Sequence, residues 1–295
     1  QPVSGTPECE RKGSIMDYND VPLMRVSHLN KRFGEGCPHC RSHSVKLQGN
    51  YCPKCGTVYA CRDISFDVYD GEILGVVGES GSGKSTMMQC LYFDQEVTGG
   101  SCTIRTYKNG AANIFELTAQ QQRYIRNHVL GMVYQNPYLG LKMNFSSMGN
   151  IAEKLIAAGK RNVKAMSERG EELLNAVKIP VHRMKEEPRK FSGGMQQRVQ
   201  IAKALSNNPP ILLLDEVTTG LDLSVQANVL DLIKKIQREL GVSMLVVSHD
   251  LGVIRMLADR TIVMLDGEII EQGLTDQVME DPQHPYTQQL VYSLL

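Results

Sequence analysis

Several features are missing or scarce in this chain. It has no tryptophan, aromatic residues make up only 6%, and its apolar runs are short. The run Ile211-Leu-Leu-Leu214 is far shorter than the roughly 18 residues that span a bilayer, so we expect no direct membrane insertion. The polar stretch from Gln1 to Asp20 lacks the apolar core of a signal peptide. We therefore expect a flexible leader at residues 1–22 and a cytoplasmic protein.

An excess of charge is also missing, because 32 basic residues are balanced by 32 acidic residues. Affinity for nucleic acid cannot come from bulk charge and would need a local basic patch. We therefore expect no nucleic-acid partner. The length of 295 residues allows one large domain or two small ones.

The first informative motif is a glycine-rich loop between a predicted strand and a predicted helix. Residues 78–85 read Gly-Glu-Ser-Gly-Ser-Gly-Lys-Ser, which is the phosphate-binding P-loop pattern, although a plain glycine-rich turn is the alternative. Glycines there let backbone N–H groups approach phosphate oxygens. We expect Lys84 to reach the β- and γ-phosphates of ATP and Ser85 to ligate Mg²⁺. The other nucleotide-binding residues predicted in this loop are Gly78, Ser80, Gly81, Gly83 and Thr86.

Four of the eight cysteines form two Cys-Pro-x-Cys pairs, at 37 and 40 and at 52 and 55. In the reducing cytosol, where a P-loop protein works, this spacing indicates metal binding. Four thiolates can close a tetrahedron around a structural Zn²⁺, so neither His39 nor His43 is needed as a ligand. Two disulfides or an iron–sulfur cluster are the alternatives. The predicted zinc ligands are Cys37, Cys40, Cys52 and Cys55, whereas Cys9, Cys61, Cys90 and Cys102 are expected to be core or surface thiols.

The cysteine segment interrupts a predicted β-hairpin. Leu23–Asn30 and Asp63–Val68 have strand patterns and would pair directly if the residues between them were deleted. We therefore predict a zinc-ribbon module inserted at the hairpin tip, at residues 34–61. Residues 136–190 change to helical periodicity, which predicts a helical subdomain between halves of an α/β core. Residues 274–295 predict a C-terminal helical tail.

Five motifs follow one another along the chain: the P-loop, a strand ending at Gln135, the segment Ser192-Gly-Gly-Met-Gln196, an apolar strand ending in Asp215-Glu216, and His249. In this order they resemble the ATP-binding cassette (ABC) ATPase family, over about residues 23–273. The resemblance implies an α/β fold of the P-loop NTPase type, an ABC nucleotide-binding domain. It also implies Mg-dependent ATP hydrolysis at the interface of a head-to-tail homodimer that forms on ATP binding.

The resemblance implies a role for each motif residue. Glu216 matches the general base that polarises the attacking water, and His249 matches the switch histidine that contacts the γ-phosphate. Gln135 matches the glutamine that senses metal and water, and Asp215 matches the aspartate that holds Mg²⁺. The implied Mg²⁺ ligands are therefore Ser85, Gln135 and Asp215. The residues implied to contact ATP from the partner subunit are Ser192, Gly193, Gly194, Gln196 and Asp222, and Phe33 matches the aromatic residue placed against adenine.

A narrower resemblance concerns what the ATP is used for. Five segments resemble the ATP-binding subunits of bacterial carbon–phosphorus lyase: residues 135–142, 149–155, 191–198, 257–260 and 273–295. This implies docking as a dimer on the soluble lyase core, near its radical S-adenosylmethionine, iron–sulfur subunit, and driving its conformational cycle in phosphonate breakdown.

Two other functional classes remain open. The segment His284-Pro-Tyr-Thr287 also resembles importer ATPases of the peptide and nickel type, so such a subunit is the alternative. Nucleic-acid handling is a third class, prompted by zinc modules in ABC repair ATPases. The neutral charge and the position of the cysteine segment before the P-loop weigh against it.

Overall fold

The computed structural model describes residues 21–42 and 44–293. The predicted leader lies outside the described residues except for its last two positions. Cys9, His43 and the last two residues of the predicted tail also lie outside them. In the described part of the chain, no helix combines the length and the apolar character needed to cross a membrane.

The strands form a three-stranded antiparallel sheet and a six-stranded sheet that is mostly parallel. The small sheet has the order β2-β1-β4, and the large sheet has the order β5-β6-β7-β3-β8-β9. The strands are β1 (Met24–Phe33), β2 (Val58–Val68), β3 (Ile73–Val77), β4 (Gly99–Ile104), β5 (Leu130–Val133), β6 (Ile211–Asp215), β7 (Ser243–Ser248), β8 (Arg260–Leu265) and β9 (Glu268–Leu274).

The helices lie between and after these strands. Two of them bear directly on the candidate site: the helix after the P-loop and the helix that begins after Ser192. The helices are α1 (Pro38–Arg41), α2 (Lys84–Leu91), α3 (Ala119–His128), α4 (Pro137–Gly140), α5 (Ser147–Ala157), α6 (Val163–Ala176), α7 (Gly193–Leu205), α8 (Leu223–Leu240), α9 (Leu251–Leu257), α10 (Thr275–Glu280) and α11 (Pro285–Tyr292).

The large sheet separates two apolar clusters of buried side chains. Along β6, Leu212 and Leu214 join one cluster and Ile211 and Leu213 join the other, as strand alternation requires. Every residue of β3, β5, β6 and β7 is buried, which explains their continuous apolar sequences. Burial of each large aliphatic side chain contributes about 1.5–3 kcal/mol. The central strands are therefore held firmly, and so are the loops that follow them.

The hairpin interrupted by the cysteine segment is present. β1 and β2 pair from Met24 opposite Val68 to Phe33 opposite Val58. β2 thus begins five residues before the strand predicted at Asp63, because the segment's second turn leads straight into it: the Tyr59 amide donates to the Asn50 carbonyl oxygen at 2.7 Å. Residues 34–57, between the two strands, are called the cysteine module below.

Residues 136–190 contain α4, α5, α6 and two short 3₁₀ turns. The N-terminus of α5 is capped by the Ser146 hydroxyl, which accepts from the Gly149 amide at 2.9 Å. Asn162 caps α6 in the same way through the Ala165 amide. Buried leucines on one face of each helix join the apolar cluster that also contains α7. This helical region therefore packs on the core through α7.

Candidate nucleotide site and metal centre

The carboxyl ends of four neighbouring strands bring the predicted nucleotide residues together. Gly78 follows β3, Gln135 closely follows β5, Glu216 follows β6 and His249 follows β7. These strands are parallel neighbours in the order β5-β6-β7-β3, so their loops meet at one edge of the sheet. That edge is where ligands bind in open α/β sheets.

The P-loop requires glycine at two closely packed positions. A Cβ atom on Gly78 would lie 2.1 Å from the Met264 carbonyl oxygen, and one on Gly83 would lie 2.0 Å from the Ala60 carbonyl oxygen. Gly83 also has φ of +102° as the N-cap of α2. The loop is therefore pressed against β8 and β2 and leaves its amides available at the start of α2 for phosphate.

Lys84 lies inside this loop. Its Nζ donates to the carbonyl oxygens of Gly78 and Glu79, both at 2.7 Å, and the residue is only 3% exposed. Burial lowers the pKa of Lys84, while the nearby carboxylates of Glu216 and Asp215 oppose that change. A buried ammonium group held by backbone oxygens is well suited to bind phosphate oxygens when they enter.

Ser85 and Asp215 form a pair of oxygen donors suited to Mg²⁺. The Ser85 hydroxyl donates to Asp215 Oδ1 at 2.9 Å. Burial raises the pKa of Asp215 to about 6, although the Ser85 hydrogen bond opposes this. Hydroxyl and carboxylate oxygens are ligands that Mg²⁺ prefers. Gln135 uses its amide nitrogen for another contact, so its oxygen is available as a third ligand.

Glu216 is the centre of a polar cluster. Its Oε2 accepts from Gln135 Nε2 at 2.9 Å and from the Thr219 hydroxyl at 3.1 Å, and it lies 3.1 Å from His249 Nδ1. The backbone of Glu216 has φ of +45°, a left-handed conformation that is costly for a residue with a side chain. A carboxylate positioned in this way can orient a water molecule and polarise it. Thr219 was not predicted from the sequence.

Two buried glutamines of α7 were also not predicted. Gln200 Oε1 accepts from the Tyr134 amide at 2.7 Å, and its Nε2 donates to the Tyr134 carbonyl oxygen at 3.0 Å. Gln197 donates to the Gln135 carbonyl oxygen at 3.0 Å. α7 therefore holds the backbone on both sides of the Tyr134–Gln135 bond. The available signal was a pair of glutamines three residues apart on an otherwise apolar helix face.

The second predicted group of ATP contacts lies at the start of α7. Ser192 is the N-cap of this helix, and its side chain makes no capping hydrogen bond. A Cβ atom on Gly194 would lie 2.3 Å from Val225 Cγ1, so glycine is needed for α7 to approach α8. Gln196 turns inward and donates to the carbonyl oxygens of Pro188 and Phe191. In the described part of the chain, no hydrogen bond links Ser192, Gly193, Gly194 or Gln196 to the P-loop.

Asp222 and Phe33 are the two remaining predicted nucleotide contacts. Asp222 is the N-cap of α8 and accepts from the Val225 amide at 3.0 Å, which lowers its pKa. Phe33 is the last residue of β1, 42% exposed, with Lys31 Nζ 4.8 Å from the centre of its ring. An exposed ring of this kind can stack on a base.

The four cysteines of the module converge on one point. Their sulfur atoms all lie within 4.8 Å of one another. The separations are 3.7 Å for Cys37–Cys40, 4.0 Å for Cys37–Cys52 and 3.8 Å for Cys40–Cys55. A tetrahedral Zn²⁺ with Zn–S bonds of about 2.3 Å requires sulfurs about 3.8 Å apart. The described cysteines form no disulfide, so the residues present fit a single ion.

The surroundings of the cluster favour the thiolate form at two of its cysteines. Hydrogen bonding by Thr57 lowers the pKa of Cys55 to about 6, and the Tyr59 hydroxyl lowers that of Cys40. Thiolates are the form in which cysteine binds metal. Burial raises the pKa of the Cys52 thiol in the cluster, and it does the same for the three described cysteines outside the cluster, which are buried core residues: Cys61, Cys90 and Cys102.

Comparison with known proteins gives relatives for the whole arrangement. The family model described as ABC transporter matches residues 61–219. The phosphonates utilization ATP-binding protein PhnK of Escherichia coli (strain K12) is 44% identical over 233 residues, which are 79% of this chain and 90% of that protein. The dipeptide transport ATP-binding protein DppD of Bacillus subtilis (strain 168) is 39% identical over 246 residues, which are 81% of this chain and 72% of that protein.

A solved structure with the same fold is the dimer of the ATP-binding cassette MJ0796 in a post-hydrolysis state bound to ADP and Pi. It matches with a TM-score of 0.71 and 28% identity, over 86% of this chain and 99% of that chain. The fold class predicted from the order of the motifs is therefore confirmed.

Proposed function

The chain belongs to the ABC transporter family and hydrolyses ATP, and from this we propose that it drives the conformational cycle of a soluble carbon–phosphorus lyase core in phosphonate breakdown. The observation that carries the proposal is the match to PhnK, which is 44% identical and covers 90% of that protein. The match to the dipeptide transport protein is lower in both respects, at 39% and 72%.

The nucleotide site is proposed to be completed by a second copy of the chain. Ser192 and the N-terminal amides of α7 make no hydrogen bond to the P-loop among the described residues, yet they form an anion-binding helix start. The relative solved with ADP and Pi is a dimer. In the proposed dimer, Ser192, Gly193, Gly194, Gln196 and Asp222 of one copy contact the ATP bound by the P-loop of the other.

Within each site the proposed chemistry is hydrolysis by a positioned water. Lys84 binds the β- and γ-phosphates, and Glu216 accepts a proton from the attacking water while Gln135, Thr219 and His249 hold its carboxylate. Mg²⁺ would be held by Ser85, Asp215 and Gln135 and would supply positive charge against the phosphates. The Zn²⁺ proposed at Cys37, Cys40, Cys52 and Cys55 has no open position and is structural.

Coupling to the lyase core is proposed to pass through residues 135–155. Gln197 and Gln200 fix the backbone at Tyr134–Gln135, so a shift of Gln135 on ATP binding is transmitted to α7 and the helices packed on it. The segment that follows exposes large apolar side chains to solvent: Tyr138 at 66%, Leu139 at 67% and Phe145 at 47%. Such a patch indicates a docking surface. Closure of the dimer would then give ATP different affinities for two states of the core.

The test is growth on a phosphonate as the only phosphorus source. A strain that carries Lys84→Ala or Glu216→Gln is expected not to grow, while uptake of labelled phosphonate stays normal. Loss of uptake would instead support the alternative, an importer ATPase of the peptide or nickel type, for which the dipeptide transport relative is the supporting observation.

Docking can be tested separately from ATP chemistry. The double variant Tyr138→Arg/Leu139→Arg places charge on the exposed patch and is expected to abolish co-purification with lyase core subunits, while ATP binding is retained. The matched control is Leu240→Arg, at an exposed apolar position at the end of α8. Co-purification of a membrane permease, or normal co-purification of core subunits with the double variant, would contradict the proposed surface.

A further inference from the structure

A cavity with a basic wall lies at the edge of the large sheet opposite the nucleotide site. Its volume is about 320 Å³. His128 and Asn208 in its wall come just before β5 and β6, whereas the nucleotide residues come after these two strands. Because β5 and β6 are parallel, the cavity and the nucleotide site lie at opposite ends of them. The cavity is therefore a feature separate from the nucleotide site.

The wall of this cavity contains basic side chains and no carboxylate. Its basic residues are His128, Lys160, Arg161 and Arg169. Arg169 pairs with Glu172 at 2.8 Å, but no described carboxylate lies within ion-pair distance of Lys160 or Arg161. Arg161 Nη1 donates to the carbonyl oxygens of Ile156 and Lys160, at 2.9 Å and 3.0 Å, and its Nε and Nη2 have no acceptor among the described residues. Two positive charges and their hydrogen-bond donors are thus available to a ligand.

Other parts of the wall also favour an anion. Burial lowers the pKa of His128, and the charges of Lys160 and Lys154 act in the same direction. A negative ligand would relieve that repulsion. The helix α6 begins at the wall with Asn162 as its N-cap, and the positive end of a helix dipole attracts anions.

The charges and the apolar part of the wall together indicate a class of ligand. The two unpaired charges of Lys160 and Arg161 match a dianion. A phosphate group carries up to two negative charges near neutral pH and three acceptor oxygens, and a phosphonate group resembles it, whereas a carboxylate or a sulfonate carries one charge. The apolar part of the wall, next to these charges, can contact an organic group: Leu155, Ala165 and Met166.

We propose that this cavity binds a small organic phosphate or phosphonate, with Lys160 and Arg161 holding its oxygens. Arg169 joins the wall to the end of α7, because its guanidinium group donates to the carbonyl oxygens of Leu205 and Ser206, both at 3.4 Å. The proposal rests on the cavity alone, so it does not depend on ATP hydrolysis or on docking to a lyase core.

The experiment measures dissociation constants by titration calorimetry at pH 8 on the full chain without nucleotide. The probes are phenylphosphonate, which is mainly a dianion at this pH, and benzenesulfonate, which has the same ring and three oxygens but a single charge. Phenylphosphonate is expected to bind at least about tenfold more tightly than benzenesulfonate. The double variant Lys160→Ala/Arg161→Ala is expected to weaken phenylphosphonate binding at least about tenfold, because charge-assisted hydrogen bonds are lost.

Two controls locate the binding. Lys235→Ala/Arg238→Ala removes two exposed positive charges of α8 that do not line the cavity, and Lys84→Ala removes the ammonium group of the P-loop. Each is expected to change phenylphosphonate affinity less than about twofold, since distant sites act independently. If the double variant at the cavity loses thermal stability, Lys160→Ala decides, because its side chain makes no hydrogen bond to a described residue. Its expected loss of affinity is at least about threefold.

Three results would overturn the proposal. The first is that phenylphosphonate does not bind measurably, or binds no more tightly than benzenesulfonate. The second is that the cavity variants bind phenylphosphonate like the unaltered chain. The third is that a control variant loses as much affinity as the cavity variants, because that result would place the probe at the P-loop or would indicate attraction by overall charge only.

Discussion

The nucleotide site and the cysteine module differ in how far apart along the chain their parts lie. Glu216 contacts Gln135 from 81 residues away and His249 from 33 residues away, whereas Cys37 and Cys52 are 15 residues apart. The strands that carry the nucleotide residues pack between two apolar clusters, and neither cluster includes a described residue of the module. The first site therefore depends on the whole fold, whereas the second is built from a short local segment whose four cysteines could be held together by a metal ion.

The largest expected effect is on hydrolysis at the site built from distant segments. Glu216→Gln keeps the shape of the side chain but removes the base, so ATP hydrolysis is expected to fall at least about 100-fold while ATP still binds. Phosphate release gives the rate, and gel filtration should show a trapped dimer with Mg-ATP. The matched control is Glu239→Gln on the exposed surface of α8. A monomer at saturating Mg-ATP, both alone and on its partner complex, would contradict the dimer site.

The next largest effect is on metal content, and it tests whether the cysteine module can be altered without abolishing ATP hydrolysis. Cys52→Ser removes one of four thiolates and is expected to take zinc from about one ion per chain to nearly none. Because no cysteine of the cluster belongs to the Glu216 cluster or the apolar clusters, ATP hydrolysis is expected to survive in part. Elemental analysis measures the metal, with Cys102→Ala as a control that should keep it. Iron with visible absorbance in protein purified without oxygen would disprove the zinc assignment.

A smaller effect is expected on stability, from the hydrogen bonds between Gln200 of α7 and the backbone of Tyr134. Gln200→Leu removes the acceptor of the Tyr134 amide and one of the two donors to the Tyr134 carbonyl oxygen, the other being Gln197 Nε2, which is expected to cost about 1–3 kcal/mol of unfolding free energy. Chemical denaturation measures this cost, and zinc content should stay unchanged. Gln120→Leu, at an exposed position of α3, is the control. Equal unfolding free energies for the two variants would mean that α7 does not stabilise the segment after β5 that contains Tyr134 and Gln135.

The smallest effect concerns a charge buried among the central strands. Burial raises the pKa of Glu72 above its ordinary 4.5, although the Tyr69 amide and Arg260 oppose this. The folded state then binds the proton more tightly than the unfolded state, so this group's contribution to stability falls as pH rises through and above 4.5. The melting temperature of the unaltered chain relative to Glu72→Gln is therefore expected to drop, by a few degrees, between pH 4 and pH 7. Glu171→Gln, at an exposed position, should show no such trend. If the melting temperature of the unaltered chain relative to Glu72→Gln instead rose between pH 4 and pH 7, the predicted direction of the Glu72 pKa shift would be wrong.

Motifs whose parts lie close together were predictable from the sequence alone. The P-loop and the two Cys-Pro-x-Cys pairs have their geometry set by a few consecutive backbone angles, so residue type and spacing carry the information. The order of the ABC motifs also predicted the fold class, because it specifies which motif-bearing loop follows which strand. The start of β2 at Val58 was missed, because residues 58–62 become strand through pairing with the end of β1 and with Tyr51 of the module, and both partners are fixed only by the fold.

Other contacts were decided only by the tertiary structure. Gln197 and Gln200 hold Tyr134 and Gln135, Asn50 contacts Gly81, and the Tyr286 hydroxyl accepts from the Glu79 amide at 2.8 Å across 207 residues. Each of these bonds joins a side chain to a backbone group, and every residue except proline offers the same backbone groups. The sequence therefore does not show which residue supplies the backbone group that a side chain will contact. Only packing of the two sheets, the helices and the cysteine module brings each pair within hydrogen-bond distance.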